Sequence, residues 1–175
     1  MTISRARTTG AVYLLYFVLV IGAEASIGRT PAALSDAANL IANAAYIVVT
    51  LLLYQLFNRV NRNLAVLAVT TSVVGCVIQS LSLFHLVPAL SALPIFGLFN
   101  LTIGILILKS TFLPRGLGVL MVLSGLGWLT VLSPELLKHI STYVEILGIA
   151  AEGSLMLWLL VKGVNVERWD AQARG

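Results

Sequence analysis

Residues 145–163, EILGIAAEGSLMLWLLVKG, form an apolar run long enough to cross a membrane, yet they carry two carboxylates, Glu145 and Glu152. A charged acid near the centre of a bilayer costs about 2.5–3.5 kcal/mol even on lenient insertion scales. An acid retained at that cost needs a partner or a task, so the rest of the sequence is read for what surrounds these two. Of the 175 residues, 59% are hydrophobic and only 10% charged, and the mean hydropathy is +0.99. Soluble domains carry about 25% charged residues, so the chain reads as an all-α integral membrane protein, a single transmembrane helical domain over 1–175. At about 20 residues per span, it holds a bundle of six transmembrane helices with short connectors. Any activity then sits among the helices or at their ends.

Six apolar stretches are expected to cross: 11–28, 37–57, 63–86, 90–109, 116–132 and 141–162. The breaks between them carry start and stop signals. The break GRTPAALSD contains Pro31 and a Ser35 suited to capping the second helix, and Pro88, Pro114 and Pro134 each fall near a helix end, where a missing backbone N–H is tolerated. The segment MTISRARTTGAVYLLYFVLVIGAEAS has the basic, apolar, small-residue order of a signal peptide, but Glu24 inside the would-be cleavage region speaks against removal. Cys76 is the only cysteine, so neither an intramolecular disulfide nor a thiolate metal cluster is expected.

Orientation follows from the basic residues, because short cytoplasmic loops retain Lys and Arg. With the N-terminus inside, Arg5, Arg7, Arg59, Arg62, Lys109, Arg115, Lys162, Arg168 and Arg174 all fall on the inner side, leaving Arg29 and Lys138 outside. Both termini are therefore expected to be cytoplasmic. The basic pI of about 9.6 is a consequence of this topology beside anionic lipid, and no nucleic-acid partner is implied. The acids lean the other way: Glu24, Asp36, Glu135, Glu145 and Glu152 lie in the outer half or outer loops, with only Glu167 and Asp170 inside. His85 and His139 map to outer helix ends.

Depth and face select the candidate site. At 1.5 Å per residue, Glu152 lies about 16 Å below the outer end of the last predicted span and Glu145 two turns above it on the same face. Glu24 falls at an intermediate depth in the first helix. In the second helix Asn39, Asn43, Tyr46, Thr50 and Tyr54 form one polar stripe, while Gln79 and Asn100 offer polar groups from the third and fourth. The expected ligand-binding set is Glu24, Asn43, Gln79, Asn100, Glu145 and Glu152, with Asn39, Tyr46, His85 and His139 as secondary members. Intramembrane carboxylates are by default functional candidates, and two of them close together share protons as a coupled pair. For Asn100, Gln79 and Thr50 the plainer reading is interhelical hydrogen bonding. Trp128, Trp158 and Trp169 read as belt or packing residues. Gly97 and Gly104, and Gly118 and Gly125, each recur seven apart and read as packing grooves. No metal site is expected, since only Glu24, His85 and Glu145 would supply suitable ligands and no local spacing supports them. No cofactor is expected either.

Four stretches carry a family resemblance: GAEAS at 22–26, LYQLFNRVNRNLA at 53–65, ILILKSTFLPRGLGVLMVLSGLGWL at 105–129 and AEGSLMLWLLVKGV at 151–164. In these the chain resembles a family of bacterial multi-pass membrane proteins known only as a domain of unknown function (DUF4386). The resemblance implies residence in the bacterial cytoplasmic membrane and carries over no reaction or substrate. The fourth helix departs from it: PIFGLFNLTIG at 94–104 is less aromatic than the family's and has no His.

Three functions compete. The first is binding or transport of a small molecule, lipid or cation in an outward-opening polar pocket; transport by so small a bundle would require a homo-oligomer, and no repeat or broken mid-span helix is present. The second is an intramembrane enzyme using Glu24 or Glu152 as acid or base, against which stands the lack of any serine–histidine, HExxH or phosphate-loop motif. The third is a non-catalytic partner or sensor subunit, which would bury the second-helix stripe between chains. Under the first, the stripe belongs inside one chain.

Overall fold

A computed structural model describes residues 3–26, 31–88 and 92–172. Among these the chain forms seven helices and no strand: α1 Ile3–Ser26, α2 Ala32–Phe57, α3 Arg62–Leu83, α4 Leu93–Lys109, α5 Arg115–Leu129, α6 Pro134–Val161 and α7 Val166–Gln172, with a 3-10 turn at Thr130–Leu132 extending α5. Five of them, α1, α2, α3, α6 and α5 with its 3-10 turn, are long and apolar enough to cross a membrane, and α4 is a shorter apolar helix of 17 residues. The outward faces are apolar: on α1 alone Leu15, Val18 and Ile21 are 52%, 59% and 62% exposed. Such a surface suits hydrocarbon, as helices that could span a membrane require.

The helix ends show which local signals were decisive. Ser35 does not cap α2, which starts at Ala32 after Pro31. Ser35 lies one turn inside, where its hydroxyl donates to the Ala23 carbonyl of α1 at 3.4 Å and its carbonyl accepts from Asn39 Nδ2 at 3.1 Å. Asn61 does cap α3, accepting from the Leu64 N–H at 3.0 Å. Helix α4 begins at Leu93 with Pro94 in its first turn, three residues later than the apolar stretch suggested. Helix α6 begins at Pro134, with Glu135 in its first turn. Its 28 residues therefore run well beyond the apolar stretch 141–162. Arg29 and Arg174, used above for orientation, lie outside the described residues.

Each helix packs on the next in sequence, and α6 returns to pack on α1, so the first six close into a ring. Small residues set the closest approaches. A Cβ on Gly104 would meet the Gly118 carbonyl at 2.9 Å and one on Gly125 the Gly97 carbonyl at 2.7 Å; the two glycine pairs thus face each other across antiparallel α4 and α5. At the ring's closing seam, a Cβ on Gly10 would strike the backbone of Leu160 in α6. Inward faces supply a core that includes Tyr13, Val49, Leu53, Phe99, Ile103 and Leu155.

Helix α7 folds back under one end of the ring. Trp169 Nε1 donates to the Leu56 carbonyl at 3.0 Å, and Gln172 Nε2 to the Lys109 carbonyl at 3.1 Å. These are among the last carbonyls of α2 and α4, which have no partner within their own helices. Gly163, with φ 70°, makes the turn out of α6 that a residue bearing a Cβ would adopt only with strain.

Closure at the seam is testable. Gly10→Ala should destabilise the protein by about 1–3 kcal/mol through overpacking. Gly22→Ala, in the same helix with open space around it, should be neutral or stabilise by up to about 1 kcal/mol. Thermal unfolding of the two variants in detergent gives the comparison, and equal behaviour would refute the seam.

Candidate functional site

Glu152 projects from α6 into the ring and is met there by polar groups from three other helices. The Tyr13 hydroxyl of α1 donates to Oε2 at 2.7 Å, and the Tyr46 hydroxyl of α2 to the same oxygen at 3.4 Å. Asn100 Nδ2 of α4 donates to Oε1 at 3.1 Å and also lies 3.2 Å from the Ser124 hydroxyl of α5. Tyr13, Tyr46, Asn100 and Ser124 are all buried. A carboxylate surrounded by three donors is far less costly to hold in an apolar interior than a bare one, because hydrogen bonds to a charged group contribute about 1.5–3 kcal/mol each. Asn100 Oδ1 is buried without a hydrogen bond.

Aromatic rings frame this network. Tyr46 lies 4.6 Å from Tyr16 between ring centroids and 5.6 Å from both Phe96 and Phe99, edge-on to the latter two. Further along α2, Thr50 and Ser72 of α3 share a 2.6 Å hydroxyl contact, and Thr50 also donates to the Tyr46 carbonyl. All six ring helices thus contribute polar atoms to one buried chain of hydrogen bonds.

Beside Glu152 a cleft of about 460 Å³ lies between α1 and α6, with Trp128 of α5 at its back. Tyr16, Phe17, Val20, Ile21 and Glu24 line it from α1, and Gly148, Ile149 and Glu152 from α6. Its rim is on the outside of the ring, since Ile21 and Ile149 are 62% and 63% exposed. Its size is that of a small-molecule site. Gly148 makes room for Trp128: a Cβ there would come within 2.9 Å of the indole ring.

The residues singled out from sequence separate into groups. Glu152 and Asn100 meet directly, Tyr46 joins them, and Glu24 is exposed on the rim of the same cleft. Glu145 is exposed and does not line it. Asn43 is buried against α3, donating to the Ser80 hydroxyl at 3.0 Å. It lines a second groove of about 290 Å³ with Cys76 and Phe84. Asn39 bonds the Ser35 carbonyl, and Gln79, on α3, gives its carbonyl to Ser82. His85 and His139 are exposed; His85, with φ 56°, forms the turn after α3. The stripe on α2 divides because Asn43 and Tyr46 are about 60° apart around the helix, enough to send one towards α3 and the other to the centre. Among the described residues no three His, Cys, Asp or Glu side chains are placed to hold a metal ion. Tyr13, Tyr16, Ser124 and Trp128 are the site residues that sequence reasoning did not select. A tyrosine on the inward face of an apolar helix was the available signal for Tyr13, because its hydroxyl needs a partner when buried.

The fold is all-helical, with helices that could span a membrane and a hydrogen-bonded carboxyl group inside the ring. Comparison gives a match over part of the chain: residues 89–163 match the model of a domain of unknown function (DUF4386), the family that the sequence resembles. The match includes α4, α5 and α6, and with them Asn100, Ser124, Trp128 and Glu152. No curated protein and no solved structure matches the chain.

The distances rank the donors. Tyr13→Phe should destabilise by about 1.5–3 kcal/mol, the worth of a short hydrogen bond to a charged group, and Tyr46→Phe, at 3.4 Å, by less. Equilibrium unfolding in mixed detergent micelles reads both, and the reverse order would show that Tyr46 is the main partner of Glu152.

Proposed function

We propose that the protein binds a small amphiphilic molecule or lipid drawn from the bilayer, seated in the cleft between α1 and α6 with its polar group at Glu152. The observation that carries this is the meeting of a buried, hydrogen-bonded carboxylate and an apolar cleft whose rim lies on the lipid-facing side of the ring. An acid that served only to tie helices together would not need open space beside it. The α2 stripe supports a site within one chain, since Asn43, Tyr46 and Thr50 are buried inside it.

The proposed topology is six spans with α4 as the shortest and both termini cytoplasmic. Hydrogen bonds from Arg7 to the Val161 carbonyl, from Arg168 to the Thr111 carbonyl and from Trp169 to the Leu56 carbonyl bring the start of α1 and the ends of α2, α4 and α6 to one side. Arg5, Arg59, Arg62, Lys109, Arg115 and Lys162 belong to that same end by their positions in these helices and turns. So strong a basic bias supports placing that end in the cytoplasm. The bacterial cytoplasmic membrane is the location we propose, from the family resemblance. Transport, if it accompanies binding, would call for a homo-oligomer.

A thermal-stability screen tests the reading. Purified chain in a neutral maltoside detergent is heated with a bacterial lipid extract and a panel of membrane-soluble metabolites. A true ligand at 100 times its Kd should stabilise by about 2.7 kcal/mol, and the effect should vanish in Val20→Trp and Ile149→Trp, which fill the cleft from its rim. If no compound stabilises the unaltered chain, or if the filled variants respond equally, the cleft is not a binding site.

A further inference from the structure

Resting on the reading of the cleft as a ligand site, we infer that its occupant is an amphiphilic cation, of the alkylammonium class, whose N–H group meets Glu152. Three features of the lining lead there. Among the described residues, both charged groups that line the cleft, Glu24 and Glu152, are acids, and no Lys, Arg or His lines it. The wall around them is apolar and aromatic, with Tyr16, Phe17 and Trp128, ring types that attract cations through their negative faces. Last, a carboxylate offers about four lone-pair positions, and three are taken by Tyr13, Tyr46 and Asn100. One acceptor position is left, and all three of its protein neighbours are donors, so what fits there is a further donor.

Charge then discriminates among donors. An alcohol could use the free acceptor position but would gain nothing from Glu24 or the rings. A carboxylate or phosphate headgroup would face two acids and, among the described residues, no cation, a like-charge arrangement that specific sites use to exclude ligands. A protonated amine satisfies every group in the lining: the N–H at Glu152, the charge between the two acids and the aromatic wall, and the alkyl part along Val20, Ile21 and Ile149. Depth adds to the preference, because opposite charges attract far more strongly away from water than in it.

Three probes of one chain length separate the possibilities: dodecylammonium, dodecanol and dodecanoate, titrated into the full chain in maltoside micelles with the apparent Kd taken from the concentration dependence of thermal stabilisation. Val20→Trp, with the cleft filled, supplies the background from micelle partitioning. The expected order is dodecylammonium ahead of dodecanol by at least about tenfold, with dodecanoate indistinguishable from background. Glu152→Gln should weaken the ammonium roughly 10- to 100-fold and leave the alcohol nearly unchanged. Glu24→Gln, an exposed position where folding is not at stake, should weaken the ammonium by up to about fivefold. Dodecanol binding as tightly as dodecylammonium, above the filled-cleft background, would keep the site and overturn the cation. So would an ammonium affinity that neither Glu24→Gln nor Glu152→Gln changes. If none of the three exceeds background, the cleft itself falls as a binding site for such molecules, and the inference with it.

Discussion

The contact between α1 and α6 is the one on which the rest depends. It closes the ring, and it does so unevenly. Gly10 lets α1 press against the backbone at Leu160, Arg7 holds the Val161 carbonyl, and Tyr13 reaches Glu152. Beyond that point the same two helices line a cleft, from Tyr16 to Glu24 on one side and from Glu152 to Gly148 on the other. A single glycine at the seam and a single acid where the seam ends thus convert two packed helices into a wall with an opening. In hydrocarbon such an opening is tolerable, because helices satisfy their own backbone hydrogen bonds and expose only side chains to it.

Glu152 also explains why the centre of the ring is polar. Once an acid lies in the interior, its donors must come from elsewhere, and each donor places a demand on its own helix. Tyr13 and Tyr46 keep their phenols directed inward; Asn100 must be shared between Glu152 and Ser124. Van der Waals packing between apolar helices gives little preference for one arrangement over another in lipid, whereas a shared acceptor fixes which faces turn inward. The aromatic rings around Tyr46 then fill the remaining space.

Much of the fold was legible because hydropathy and turn residues report backbone constraints directly: a missing N–H at proline ends or starts a helix wherever it occurs. Where the reading slipped, averaging was the cause. The first turns of α6 contain Glu135, Lys138 and His139, which lower the mean hydropathy and hid a helix start that Pro134 marked. Ser35 looked like a cap, but Pro31 had already fixed the dihedral angle needed to begin α2. For the site, Glu152 was legible because an acid in an apolar run is anomalous by itself. Tyr13 was not, because a tyrosine near a helix end has an ordinary explanation at the membrane interface, and only the distance to Glu152 distinguishes the two. Asn43 and Tyr46 lie in one stripe on paper yet face different neighbours, since a stripe as broad as 60° spans two interhelical contacts.

The two ends of the ring differ in kind. At the basic end α7 covers carbonyls near the ends of α2 and α4 and places Trp169 against them, and Phe112 stacks on Phe57 at 6.0 Å, so backbone capping and aromatic packing act together there. The cleft lies towards the other end, between helices and not along the ring axis, which the side chains of Tyr46, Phe99, Ile103 and Leu155 fill. A molecule reaching Glu152 through the cleft therefore has a short path from the side. Under the proposed reading, that asymmetry favours a ligand already dissolved in the bilayer over one arriving from water, because its apolar part would move from lipid to the cleft with little change in environment, and selection would rest on the polar group that Glu152 accepts.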